Sequence, residues 1–310
     1  MTADMFLTSM YGSLGQGLLY APVVIGVFMS LRIMKRPDLT IEGTFAFGAV
    51  IAMTLLHNGV HFMVALALAA LGGCLAGLAT ALIHTKLKID GIISGLLVTM
   101  ALFSVNLFVM GGSTISAPLG SFVFAPVRER LLRLDIQPFN ALLWSYIIIG
   151  AIALSVVIFV LFMLYKTSFG LSIRATGDNE RMACAIGVNV DSRKIFSLVV
   201  SNGITGLAGA LVAQQQSGAE VHSGAGVLII GLASLVIGEI IAPKHAGMLA
   251  RLIFISLGSL IYFTCITLVL VSGLLGPEWT RMLTAVFALT AICVPKLHEH
   301  LFKKRIEVAR

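Results

Sequence analysis

The run Lys166-Thr167-Ser168-Phe169-Gly170-Leu171-Ser172-Ile173-Arg174-Ala175-Thr176-Gly177-Asp178-Asn179-Glu180-Arg181-Met182-Ala183-Cys184-Ala185-Ile186-Gly187-Val188-Asn189-Val190-Asp191-Ser192-Arg193-Lys194 interrupts an otherwise oily chain. Its bases are Lys166, Arg174, Arg181, Arg193 and Lys194, and its acids are Asp178, Glu180 and Asp191. A short helix is predicted inside it. Asp178 or Asn179 supplies the oxygen that caps the first turn, and Gly187 the left-handed residue that ends the last. On local physics, such a run between two membrane spans is either a solvated loop or a small folded element that a soluble partner grips.

Outward from this run the sequence is a membrane protein. Of 310 residues, 58% are hydrophobic and 11% charged, against roughly 25% charged in a soluble domain. Nine spans are expected, at 11–31, 39–56, 62–85, 91–112, 141–165, 195–215, 225–242, 251–273 and 279–295, forming one all-α polytopic transmembrane helical bundle over residues 1–310. The runs are too long and too uniformly apolar for barrel strands. Residues Met1 to Met10 contain Asp4 and no Lys or Arg, so the first run is expected to be a retained span, not a signal peptide. A net charge of +7 is expected to reflect loop asymmetry and not nucleic-acid binding. With these spans, 17 of the 21 Lys and Arg fall on one side, and only Arg128, Arg130, Arg133 and Arg281 on the other. The basic side is therefore expected in the cytoplasm, with the N-terminus outside and the C-terminus, including the basic tail Lys296–Arg310, inside.

The spans carry few polar groups. Ser94, Thr99, Ser104 and Asn106 lie in the fourth, with Thr99 and Asn106 seven apart on one face. Asn202 lies in the sixth. Polar groups within a membrane helix bond their own backbone or face the bundle interior or a wet cavity. Ser94, Thr99, Asn106 and Asn202 are thus candidate pathway residues. Glu42, just after Pro37 and Asp38 at the start of the short second span, is either a first-turn acid at a helix N-terminus or a further lining residue. Spans two and seven are short, glycine-bearing and oppositely directed, the pattern of inverted halves around a central site. Glu239 is expected to be neutralised by Lys244 or His245, or to reach the interface. Gly73 and Gly77 form a GxxxG suited to close packing within the chain. Residues 127–134 are expected to form an amphipathic surface helix, and Glu220 with His222 a hydrated loop. The cysteines Cys74, Cys184, Cys265 and Cys293 have neither metal-ligand nor disulfide spacing. No ATP-binding loop, HExxH or GxSxG occurs, so enzymatic chemistry within this chain is not expected.

The motif Phe169-Gly170-x-x-Ile173-Arg174-Ala175-x-Gly177-x-Asn179-x-x-x-Ala183-x-x-x-Gly187-Val188 resembles the cytoplasmic coupling segment of ABC-importer permeases serving branched-chain amino acids, simple sugars and nucleosides. The runs Pro37–Ala49 and Gly203–Ala210 extend the resemblance over most of the chain from about residue 37. It implies a type II importer-like inner-membrane subunit of a bacterium, paired with a second permease copy, a cytosolic ABC ATPase that carries ATP and Mg, and an extracytoplasmic substrate-binding protein; this chain itself is expected to hold no cofactor. It also implies that Arg174, Gly177, Asp178, Asn179, Arg181 and Gly187 belong to the ATPase-coupling segment. The neutral mid-span lining points to a small neutral or zwitterionic solute, an amino acid first and a nucleoside or sugar next. A secondary transporter is the alternative, but it needs ionisable groups at mid-membrane, and Asp38, Glu42 and Glu239 are placed near span ends. A non-transporting assembly subunit would instead bury the polar face of span four under a partner.

Overall fold

A computed structural model describes residues 3–243, 245–273, 276, 279–280, 282–290 and 293. Two long helices open the chain, α1 (Ala3–Phe28), which runs through a π turn at Met29–Ile33, and α2 (Thr40–His57). After them come α3 (Phe62–Lys86), α4 (Gly91–Met110), β1 (Thr114–Ser116), α5 (Ala125–Arg133) and α6 (Pro138–Lys166). The rest is α7 (Ser168–Asp178), α8 (Glu180–Ala185), α9 (Val190–Gln215), β2 (Gly218–Glu220), α10 (Val227–Ile241) and α11 (Met248–Val271). Residues 282–290 are also helical.

Among the described residues seven helices are long and apolar enough to cross a membrane. The predicted seventh span is the shorter α10. The ninth is described only in part, and Arg281, Lys244 and the tail Lys296–Arg310 lie outside the described residues. The first span starts at Ala3, earlier than expected. The polar run is also richer than expected. Asn179, not Asp178, caps α8 by accepting from Met182 N at 3.1 Å, and Gly187 ends it at φ +85°. The whole of α7, capped by Thr167, precedes it.

α9 is the axis of the packing, held mainly against α3, α2 and α1. Its small residues let neighbours approach to backbone contact. A Cβ on Gly73 would meet the Asn202 carbonyl oxygen, and one on Gly77 that of Leu198, so the GxxxG packs within the chain, as expected. α1 is the most buried span and α6 the least.

The two ends of the bundle differ. At one, β1 and β2 form a short antiparallel ladder pairing Ile115 with Ala219. The loop after α4 is thereby tied to the loop after α9. Three-residue strands spaced a hundred residues apart carry no periodicity, so sequence reading does not show them. At the other, basic end, α7 and α8 lie across the start of α9.

Candidate functional site: a mid-bundle cleft and the joint beneath it

Residues 34–39 do not stay on the surface. Arg36 N bonds Ser30 O at 2.9 Å, folding the loop back onto the π turn, and Asp38 is buried. Its carboxylate accepts from Thr40 N at 2.9 Å and from Asn202 Nδ2 at 2.7 Å. Asn202 lies twelve residues into α9, about 18 Å along a helix. α2 therefore begins inside the bundle. α10 begins there too: the loop after β2 descends until Gly224 rests on the Glu42 backbone, and Gly226 N donates to Glu42 Oε1 at 3.1 Å. The two short helices meet N-terminus to N-terminus, where the positive ends of their dipoles favour a carboxylate. Asp38 and Glu42 are indeed near helix ends, as expected, but those ends lie at depth. The start of a span need not be at an interface when the helix is broken.

Around this junction is a cleft of about 400 Å³ lined by Glu42, Thr99, Phe103, Asn106 and His222, among others. Thr99 donates to Leu39 O at 3.1 Å. Asn106 is buried, and its Oδ1 has no hydrogen-bond partner. Phe103 and His222 pack with their rings tilted at 46° and 5.2 Å between centroids. Among the described residues no Lys or Arg lines the cleft, and its polar side chains are one carboxylate, Glu42, with Thr99, Asn106 and His222. It opens on the side of α4 where Met100 and Phe103 are exposed.

The structure brings Glu42, Thr99 and Asn106 together and moves two expected lining residues out. Ser94 is buried and donates to Asp90 O at 2.9 Å. Asn202 is fully buried, accepting from Thr44 Oγ1 at 2.8 Å and donating to Asp38. Both are used up in packing, so neither borders the cleft. Phe103 and His222 do border it and were not singled out as lining. His222 reaches it only because the ladder folds its loop inward, for which the sequence carries no local signal.

Below the cleft the same loop is anchored to α7 and α8. Lys35 Nζ bonds Asp178 at 2.8 Å, and Arg36 bonds Glu180 at 2.6 Å through Nη2 and His84 Nε2 at 2.6 Å through Nη1. Lys194 completes the cluster, 2.8 Å from the second Glu180 oxygen. The Lys35 ammonium holds the Asp178 carboxyl below the usual range. Partial burial pushes Glu180 up, but the bonds from Lys194 and Arg36 outweigh it and hold this carboxyl low. At Gly177 a Cβ would fall on the Ile33 carbonyl oxygen, so α7 touches the π turn through bare backbone. Arg174 and Arg181 are exposed. So are Leu171, Met182 and Ile186, which form an apolar outer face on this element. Glu239 is held by a partner the sequence did not suggest, while Lys244, one of the two expected, lies outside the described residues. Arg32 grips it through Nε at 2.7 Å and through Nη2, a contact 207 residues apart.

The family described as "Branched-chain amino acid transport system / permease component" matches residues 9–292. The tyrosine transport system permease protein of Clostridioides difficile is 33% identical over 288 residues, 93% of this chain and 92% of the relative. The L-arabinose ABC transporter permease protein AraH of Azospirillum brasilense is 29% identical over 232 residues, 73% of this chain and 64% of the relative. Among solved structures, PsaBC from Streptococcus pneumoniae in complex with a Fab matches with a TM-score of 0.50 at 15% identity over 92% of this chain and 90% of that one, a likeness of fold alone. The match spans nearly the full length described above, broken helices included, and the chain belongs to the branched-chain amino acid transport system permease family.

Proposed function

We propose that this chain is the translocation subunit of an ATP-driven importer, and that loop 34–39 carries motion from the ATPase to the solute path. The observation that carries the reading is a sequence of anchors. Lys35 holds α7, Arg36 holds α8, and Asp38 holds Asn202 and the first turn of α2, where Glu42 borders the cleft. An element gripping α7 and α8 from below would pull on α2 through about four residues. The exposed Met182 and Ile186, flanked by Arg181, offer a cytosolic ABC ATPase an apolar knob with a basic rim. ATP and Mg belong to that partner. The basic end is then cytoplasmic and the ladder end faces outward in a bacterial inner membrane, where an external binding protein docks.

The cleft opens sideways at exposed α4, so a second copy of the chain is needed to wall the path. Its acceptors, Glu42 and Asn106, suit a solute with an ammonium group, and the Phe103–His222 pair offers it a flat apolar face. An amino acid fits both, in keeping with the relative named for tyrosine transport.

The test is purification of the tagged chain in mild detergent from its own cells, followed by reconstitution with what accompanies it. A stoichiometric ATPase is expected, lost in Met182→Glu while the chain stays folded. A homogeneous complex without any ATPase, under conditions that keep a control importer intact, overturns the reading.

A further inference from the structure

Away from the cleft, the outer face of the bundle carries a second cavity of about 520 Å³. α3 and α6 diverge here, and α9 forms the floor between them. Phe62, Met63 and Leu66 line one wall, Ile152 and Val156 the other, and Leu211 lies beneath. The lining is apolar throughout, and it contains no residue of α4, the face assigned above to a second copy. Met63, Ile152 and Val156 are more than half exposed, so the groove opens onto the surface that faces hydrocarbon. From Phe62 to Ala70 it runs about 12 Å along α3, close to one leaflet of a core that is about 30 Å thick.

The mouth of the groove is not apolar. Pro126 and Val127 of α5 close it, and α5 carries Arg128, Arg130 and Arg133 against Glu129, with Asp135 just beyond. Arg130 and Arg133 are exposed and in no salt bridge among the described residues. These two exposed guanidinium groups beside the mouth leave it positively charged, and a phosphate is the acceptor that a planar guanidinium fork fits best.

We propose that this groove is a binding site for an anionic phospholipid, with one acyl chain between α3 and α6 and the headgroup held by the exposed arginines of α5, Arg130 and Arg133. A chain-shaped apolar slot and exposed arginines beside its mouth match the two halves of a phospholipid. Neither half alone specifies one. The lipid would fill the gap that the packing leaves beside α9 and brace α5 against α6, where Phe124 meets Tyr146 edge-on at 4.7 Å.

The test is native mass spectrometry of the full chain released from nanodiscs containing equal phosphatidylglycerol and phosphatidylcholine. Wild type is expected to retain phosphatidylglycerol selectively. Replacing Arg130 and Arg133 together by Ala is expected to lower that retention at least about fivefold, and Ala153→Phe or Ala67→Phe, which fill the groove from opposite walls, to abolish it with an unchanged size-exclusion profile. Equal retention of both lipids by wild type, or undiminished retention in the two filled variants, overturns the proposal. Cysteine cross-linking at Met63 or Val156 provides the rival occupant's signature: efficient bonding between two copies would make the groove a protein interface and sink the lipid site.

Discussion

The two polar clusters of this oily chain are built on opposite rules. At the basic end, Asp178, Glu180 and Glu239 each bond a Lys or Arg, and the geometry is closed. In the cleft, Glu42 bonds only backbone N–H, and Asn106 Oδ1 bonds nothing. Paired charge makes a joint, since breaking it leaves a base and an acid without partners. Unpaired acceptors make a receptor, since a solute can supply what the protein withholds. One loop, residues 34–39, belongs to both.

The sharpest way to break the joint is steric. Gly177→Val puts a branched side chain where the Ile33 carbonyl already sits. The expected cost is about 3 kcal/mol, falling on the seating of α7 while the spans stay intact. Amide exchange is expected to rise across residues 168–186 alone, and transport to be lost although the ATPase still binds through α8. Unchanged exchange there would mean that α7 has an alternative seat and the anchoring is not tight.

The receptor is tested by a quieter change. Glu42→Gln keeps an amide oxygen for Gly226 N and nearly the same volume, so stability should move little. What it removes is the charge. A charge-assisted bond contributes about 1.5 kcal/mol, so uptake of an amine-bearing amino acid by the reconstituted complex is expected to fall about tenfold, with the uncharged-amine dependence of transport flattened. Equal uptake by wild type and variant would assign Glu42 wholly to capping α10, and the contrast between the two clusters would then reduce to one of packing.

How far the sequence showed these clusters depends on how local their causes are. The α8 cap and its terminating glycine are written within nine residues, and Asn179 and Gly187 do what their chemistry predicts. The spans follow from hydropathy summed over about 20 residues, and the surface helix from its own polar face. The meeting of α2 with α10 is not local: it needs Glu42 and Gly226 together, 184 residues apart, and only the glycine-rich shortness of both spans pointed to it. Ser94 and Asn202 are polar span residues of the same kind as those that border the cleft. What separates them from Asn106 is whether a partner lies within bonding distance, and this is decided by neighbours on other helices. Arg32 and Glu239 make the same point, since their bond spans 207 residues and no local pattern announces it.

The smallest effect expected is a pH dependence, and it distinguishes the joint from simple contact. Glu180 is held below its ordinary value of 4.5, with burial opposing and the bonds from Lys194 and Arg36 prevailing; Asp178, bonded by Lys35, is held below 3.8. For a carboxyl whose folded value is depressed, the stabilising share is complete above its unfolded value and is lost as pH falls through the folded one. Protection of α7 and α8 against amide exchange should therefore be level from neutral pH to about 5 and decline below 4.5. Because Glu180 is over a third exposed, solvent screening keeps the effect to about 1 kcal/mol or less. Glu180→Gln is the reference, since glutamine mimics the protonated acid: at neutral pH it should be the less protected, and the gap to wild type should close as the pH is lowered. His84 bonds Arg36 in the same cluster, so the comparison is repeated in His84→Gln to isolate the carboxylate's share. A gap that stays constant into acid would mean that Glu180 supports the segment by shape alone, and the pull from α8 to the cleft would have to run through the backbone contact at Gly177.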